Sequence, residues 1–288
     1  MSHVFSRRAL AAGLLSLSLA SARPAAAINL FSVQQDEQVG RQAAQQAEQQ
    51  LPMLRDGMSE SYINAIVQRL ARVAPGPRFE YRARVVNTSD INAFALPGGY
   101  VYVNRGLITA ARNEGELAGV LAHEMAHVAQ RHGTSQASKA YGAQIGVGLL
   151  GQVLGGRDHR LGIGEQLLGN LGLSALFLQF SRNAESEADR VGAQMMSRAG
   201  YDPMAMASFF DLLAAQQHGN PSAVSQFFSD HPSPQNRSAS IRAQAAQLPR
   251  GGDTQVGGLQ SVQARLDQMP AASRRGSVAR TASRLRRR

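Results

Sequence analysis

Two histidines four residues apart, with a glutamate beside the first, stand in Leu121-Ala122-His123-Glu124-Met125-Ala126-His127-Val128. On a helix, positions i and i+4 share a face, so His123 and His127 direct imidazole nitrogens at one ion. That is the HExxH arrangement, for which the expected metal is one zinc per chain. Glu124 lies about a third of a turn from His123, where it can hold a zinc-bound water and take its proton during attack on a carbonyl. Its expected role is general base and not ligand. Leu117, Val120, Leu121 and Val128 wrap the motif in apolar residues. Imidazoles buried among them need polar partners, which a chance pair of surface histidines would not.

Catalytic zinc takes three protein ligands and keeps one open position, so a third ligand must lie downstream. His132 is the nearest candidate, but it falls five residues past His127 and off the ligand face. The extended signature, with Gly and His three and six residues beyond the second histidine, is absent, since Gln130 and Gly133 hold those places. His132 reads instead as a helix-terminal residue favoured by the helix dipole. Ser181 to Arg190 is the better source, because Glu185 and Asp189 share a helix face that Glu187 does not. One of the pair can ligate zinc while the other receives the second ring N–H of a ligating histidine. The same pair also reads as a solvated acidic face, and spacing alone leaves both readings open.

The elements that must position these residues follow from hydrophobic period. Val39, Ala43, Ala47 and Leu51 recur every four residues in Gln34–Leu51, and Ile63, Ile66, Val67 and Leu70 mark a second helix in Ser59–Ala74. Between Phe79 and Val103 the period falls to two. Phe79–Val86, Ile91–Leu96 and Tyr100–Val103 are expected strands, the last two joined at Pro97-Gly98-Gly99 into a hairpin. Helical period returns in Gly115–Gln130, Arg182–Arg198 and Pro203–Gln216. The expected fold is α+β and mostly helical, with one small sheet. No repeat of solenoid period is present.

Four motifs in order carry a family resemblance: Ile91-Asn-Ala-Phe-Ala-Leu-Pro-Gly-Gly-Tyr-Val-Tyr-Val-Asn104 with Gly106-Leu107, the HExxH segment, Glu185 to Asp189, and Ser229-Asp230-His231-Pro232. Over roughly residues 35 to 245 the chain resembles the zinc metallopeptidases of family M forty-eight, whose fold is gluzincin-like. The resemblance implies Glu185 as third ligand and Asp189 behind the ligands. It places His231 near the metal, either as a donor to the tetrahedral oxyanion or as a reversible fourth ligand, with Arg237 as a supporting residue. It also favours Gly99, Tyr100, Val101 and Tyr102 as an exposed sheet edge that pairs with an extended peptide. One exported member of the family that the chain resembles also carries a carboxy-terminal helical repeat domain, and nothing of that period follows residue 250. Membrane-embedded members have spanning segments, whereas Tyr141 to Phe180 is broken by glycines and charges and reads as a lid or a buried hairpin.

The formal charge of +10 is uneven. Residues 1–27 hold Arg7, Arg8 and Arg23, residues 270–288 hold seven arginines, and the body between is close to neutral. Arg7-Arg8, the apolar stretch Ala9–Ala20 and Ala25-Ala26-Ala27 describe a cleaved export signal, with Ser6-Arg7-Arg8 resembling a twin-arginine type. The mature chain would begin at Ile28, in the periplasm. With no cysteine there is neither a disulfide framework nor a lipid-modified amino terminus. Residues 28–249 form the expected peptidase domain and 250–288 a basic tail too poor in large apolar residues to fold. The tail could meet an anionic membrane surface. Nucleic acid is disfavoured, because no stacking aromatics accompany the arginines. The expected activity is endopeptidase action on misfolded or stalled envelope proteins, outer-membrane ones among them, in contact with the envelope assembly machinery. The alternatives are a catalytically silent chaperone or an envelope-binding module on the same fold.

Overall fold

Ser32 opens the first helix, α1 (Val33–Gln50), with a reciprocal cap: its hydroxyl accepts from Gln35 N–H at 3.1 Å and Gln35 Oε1 accepts from Ser32 N–H at 2.7 Å. Asp56 caps α2 (Gly57–Ala71) by accepting from the Ser59 N–H and hydroxyl. A computed structural model describes residues 29–145, 179–232, 236–249, 251 and 257–270. The expected export signal, residues 146–178 of the glycine-rich stretch and residues 271–288 of the tail lie outside the described residues.

Three strands follow: β1 (Arg82–Val86), β2 (Ala93–Leu96) and β3 (Tyr100–Asn104). The order is β1-β3-β2, with β1 parallel and β2 antiparallel to β3. Gly98 and Gly99 sit at φ of 78° and 101°, which lets the chain reverse between β2 and β3 where a side chain would be strained. This order corrects one expectation. Tyr100, Val101 and Tyr102 lie on the central strand, paired on both sides, and Gly99 lies in the turn before it. A strand has two hydrogen-bonding edges, so β3 has none left for a peptide.

The outer edge of β1 is also used. Leu54 N–H donates to Val85 C=O, Asn87 N–H donates to Pro52 C=O, and the Asn64 amide bonds both backbone groups of Ala83. On β2, the Asn104 N–H donates to Asn92 C=O, which makes 92/104, 94/102 and 96/100 the hydrogen-bonded pairs. The N–H and C=O of Ala93 and Ala95 therefore point away from β3, and among the described residues no further strand pairs with β2.

After α3 (Arg105–Ala110), helix α4 (Glu114–Ala129) runs through the middle of the domain, buried on every face except at its amino-terminal Gly115. It packs against β2, against α2 and against two later helices, α6 (Arg182–Arg198) and α7 (Met204–Gly219), while α5 (His132–Ile145) continues from its end. Then come α8 (Pro221–Asp230), α9 (Arg237–Ala245) and α10 (Leu259–Gln268). No helix among the described residues is long and apolar enough to cross a membrane.

Helix α10 corrects a second expectation, because part of the segment assigned to an unfolded tail packs on the domain. Leu259, Val262 and Leu266 recur at helical spacing and are buried in the main core. Arg265 pairs with Asp56 at 2.6 Å, and Gln263 donates to the Ile108 and Ala111 carbonyls. The low overall hydrophobicity of the tail concealed this one apolar stripe, which suffices when the core supplies the other side.

Candidate metal centre

Asn113 caps α4 by accepting from Glu116 N–H, and Ser181 caps α6 by accepting from Ala184 N–H. Along α6, Glu185, Asp189 and Gly192 form one stripe against α4. A Cβ on Gly192 would stand 3.1 Å from the His123 backbone nitrogen, so only glycine lets the two helices come this close.

Four buried side chains converge as a result: His123 and His127 from α4, Glu185 from α6, and His231 at the carboxy-terminal cap of α8. One ligand atom from each lies within 4.8 Å of the others. His123 Nε2 and His127 Nε2 are 3.1 Å apart, and Glu185 sets an oxygen 3.4 Å from each. Tetrahedral zinc with bonds of 2.0–2.1 Å separates its ligand atoms by about 3.3 Å, close to these spacings. Glu185 Oε2 and Glu124 Oε1 are buried and accept no hydrogen bond. Arg237 Nη1 lies 3.1 Å from that Glu185 oxygen without being aligned to donate. A cation answers such orphaned acceptors, so this donor set of two imidazoles and a carboxylate fits a zinc-like dication.

His231 Nδ1 lies 3.0 Å from Glu185 Oε1 and 3.4 Å from His123 Nε2, while its Nε2 lies 3.3 Å from Glu124 Oε1. Behind the ligands, Asp189 Oδ1 is 3.0 Å from His123 Nδ1. Arg237 grips the same carboxylate with Nε at 3.0 Å and Nη2 at 2.7 Å, its guanidinium stacked 3.9 Å over the Phe210 ring. Glu187 turns away, half exposed, 3.5 Å from His132.

Charge in the cluster is organised around Glu185. Burial alone would raise its carboxyl, but His231, His123 and His127 hold it far below the usual carboxylate range. Asp189 is likewise lowered: burial opposes, and Arg237 and His123 outweigh it. His123 is pulled down by burial and by Arg237, but the neighbouring Asp189 and Glu185 carboxylates lift it to about 9. Burial pushes His127 well below its ordinary value. Burial raises Glu124, with His231 and His123 opposing, which suits a group that must accept a proton.

The structure thus brings together His123, Glu124, His127, Glu185, Asp189, His231 and Arg237, and sets Gly99, Tyr100, Val101 and Tyr102 apart on the turn and central strand. His132 is not among the converging ligand atoms, yet its Nδ1 is 3.0 Å from His127 Nδ1. It begins α5 rather than ending α4, so the dipole argument for it does not hold. Sequence reasoning missed two neighbours. Asn92, fully buried, donates to Asp230 at 3.3 Å beside His231, and Phe180 stacks on the His127 ring at 4.0 Å. Asn92 stood inside a quoted motif, whereas nothing in the spacing of Phe180 marked it.

Two helices presenting HExxH and a glutamate to one point, beside a small sheet, define a gluzincin-like domain, and Peptidase family M48 matches residues 58–245. The chain belongs to that family. Among its relatives, the beta-barrel assembly-enhancing protease of Yersinia pestis is 33% identical over 227 residues, covering 76% of this chain and 45% of the relative. The mitochondrial metalloendopeptidase OMA1 of Schizosaccharomyces pombe is 32% identical over 61% of this chain and 50% of its own length. Metalloprotease LoiP of Escherichia coli is 31% identical over 55% of this chain and 60% of its own. The chain thus spans under half the length of the assembly-enhancing protease it matches.

Proposed function

We propose that this chain is a zinc-dependent endopeptidase of the bacterial envelope, with His123, His127 and Glu185 as ligands. The observation that carries the reading is the convergence of three buried donors at zinc-ligand spacing with Glu124 beside them. Bound zinc would polarise the scissile carbonyl and acidify a water. Glu124 Oε1 takes the proton of that water and returns it to the leaving amine, a role favoured by its raised affinity for protons. Asp189 accepts a hydrogen bond from the His123 Nδ1–H and so fixes the tautomer that turns Nε2 to the metal, and Arg237 holds Asp189 in place. His231, one of the four converging side chains, would supply a reversible further donor to the metal and so restrain the enzyme until substrate binds.

The edge at β2 replaces the misassigned strand. Ala93 is fully buried, so it is at the partly exposed Ala95, whose backbone groups point away from β3, that an extended peptide would begin to pair with this edge. Backbone pairing is tolerant of sequence, which suits unfolded or misassembled envelope polypeptides as substrates. The names of the relatives support a role near outer-membrane assembly. Residues 1–27 serve as a cleaved signal delivering the chain to the periplasm, so amino-terminal sequencing of exported protein should begin at Ile28. Retention of residues 1–27 would indicate an anchor.

The decisive experiment is metal analysis and casein hydrolysis by purified protein beside Glu124→Gln. The variant should keep one zinc per chain and lose about 10³-fold or more in turnover. Loss of zinc from the variant, or unchanged hydrolysis, overturns the assignment.

A further inference from the structure

Away from the metal centre, a hollow of about 300 Å³ opens between α1, the segment before β1 and the turn joining β2 to β3. Its lining includes three arginines, Arg41, Arg78 and Arg82, two glutamates, Glu37 and Glu80, and Tyr100. The backbone that carries them is packed closely. A Cβ on Gly98 would stand 2.8 Å from Glu37 Cα, and one on Gly99 would stand 2.7 Å from the Glu80 carbonyl oxygen. The turn therefore holds α1 and the segment before β1 at fixed places on either side of the hollow.

Only part of this charge is used within the chain. Arg82 pairs with Glu80 at 3.0 Å and lies 4.7 Å over the Tyr100 ring, which limits where its guanidinium can point. Arg41 and Arg78 are exposed and, among the described residues, form no ion pair or hydrogen bond. Glu37, one turn before Arg41 on α1, forms no ion pair either.

A lone exposed arginine is ordinarily a solvated charge. Two unpaired ones in a concave place with a fixed backbone differ, because a cleft lined mainly by one sign of charge focuses its field on what enters. Three guanidinium groups against two carboxylates leave a surplus of one positive charge. One carboxylate restores the balance, and the planar N–H fork of arginine matches its two oxygens. A phosphate group, carrying about −1.5 to −2, would exceed that surplus and meet Glu37 and Glu80.

We propose that this hollow captures a carboxylate of the polypeptide substrate, from an acidic side chain or the chain terminus, through Arg41 and Arg78. The proposal rests on the reading of unfolded polypeptides as substrates and adds a contact away from the bond that is cut. Pro97 lines the space beside His127, and Gly98, the next residue, lines the hollow. One turn of chain therefore separates the two places, and a polypeptide held at one can reach the other.

The experiment reads binding alone, by fluorescence anisotropy of labelled peptides on zinc-loaded Glu124→Gln, so it stands whether or not the chain hydrolyses peptides. Four peptides share one unfolded sequence: a single Glu or Gln at one internal position, each with a free or an amidated carboxy terminus. At low salt, the peptides bearing a carboxylate should bind about fivefold tighter than the uncharged one. Whether the internal Glu or the free terminus gives the gain identifies the source. The gain should shrink as salt rises, vanish when Arg41→Ala and Arg78→Ala are combined, and survive in Arg55→Ala, an exposed arginine outside the hollow. Replacing Arg41 and Arg78 by Glu should reverse the preference, so that a peptide with Lys in place of the internal Glu binds tighter. Equal affinity for all four peptides, a gain unaltered without Arg41 and Arg78, or an equal loss in Arg55→Ala overturns the proposal.

Discussion

The two sides of the metal centre are built differently. Helices α4 and α6 meet through backbone, with Gly192 against His123, so the positions of His123, His127 and Glu185 follow from helix packing itself. His231 and Arg237 arrive on the end of α8 and the start of α9; α8 packs on α7, and α9 packs on α7 and on α6. Phe227 of α8 lies 5.9 Å from Phe210 of α7, and the Arg237 guanidinium covers the same ring. On the proposed reading, the donors fixed by the packing of two helices would set metal affinity, and the donor carried on a helix cap would govern access.

The sharpest way to break this contrast is at Glu185. Glu185→Ala should strip zinc and abolish hydrolysis, while Glu187→Ala, half exposed on the same helix, should keep both. Metal analysis after dialysis decides the matter, and zinc retained in Glu185→Ala would mean that the packed side does not set affinity. Next in size is His231→Ala. If the cap-borne ring restrains the site, its loss should raise basal casein hydrolysis up to about tenfold with zinc still bound. A fall of about 10²-fold would make the ring an oxyanion donor instead.

A third change acts away from both sides. Leu266→Ala on α10 should cost about 2–5 kcal/mol of unfolding free energy, read by urea denaturation, and leave zinc content unaltered. Unchanged stability would return residues 259–268 to the unfolded tail. The smallest effect concerns acid. The Ser59 hydroxyl and the Arg265 guanidinium hold the Asp56 carboxyl below the usual carboxylate range, against burial. A lowered folded pKa gives stability that is present above the unfolded value of about 4 and lost as pH falls through the folded one. Asp56→Asn should therefore lose less stability than wild type between pH 5 and about pH 2, and equal acid sensitivity in denaturant titrations would remove Asp56 from that account.

The α4 ligands were legible because i and i+4 on one helix is a local rule, and the acidic pair on α6 obeys the same rule. What spacing left open was which carboxylate faces the histidines. That depends on how α6 is rotated against α4, and Gly192 decides it by permitting one close contact. The misassigned edge has a similar origin. Periodicity found the hairpin of β2 and β3, but no local pattern says that β1 pairs parallel to β3 and encloses it.

The sequence by itself determined the HExxH helix, the hairpin and the family, because each is written in residues close together along the chain. The tertiary structure alone decided that β2 is an edge strand among the described residues, that Phe180 faces His127 and that α10 belongs to the core. Each of these pairs residues far apart in the chain, and such contacts depend on which surfaces the packed helices and sheet leave for one another.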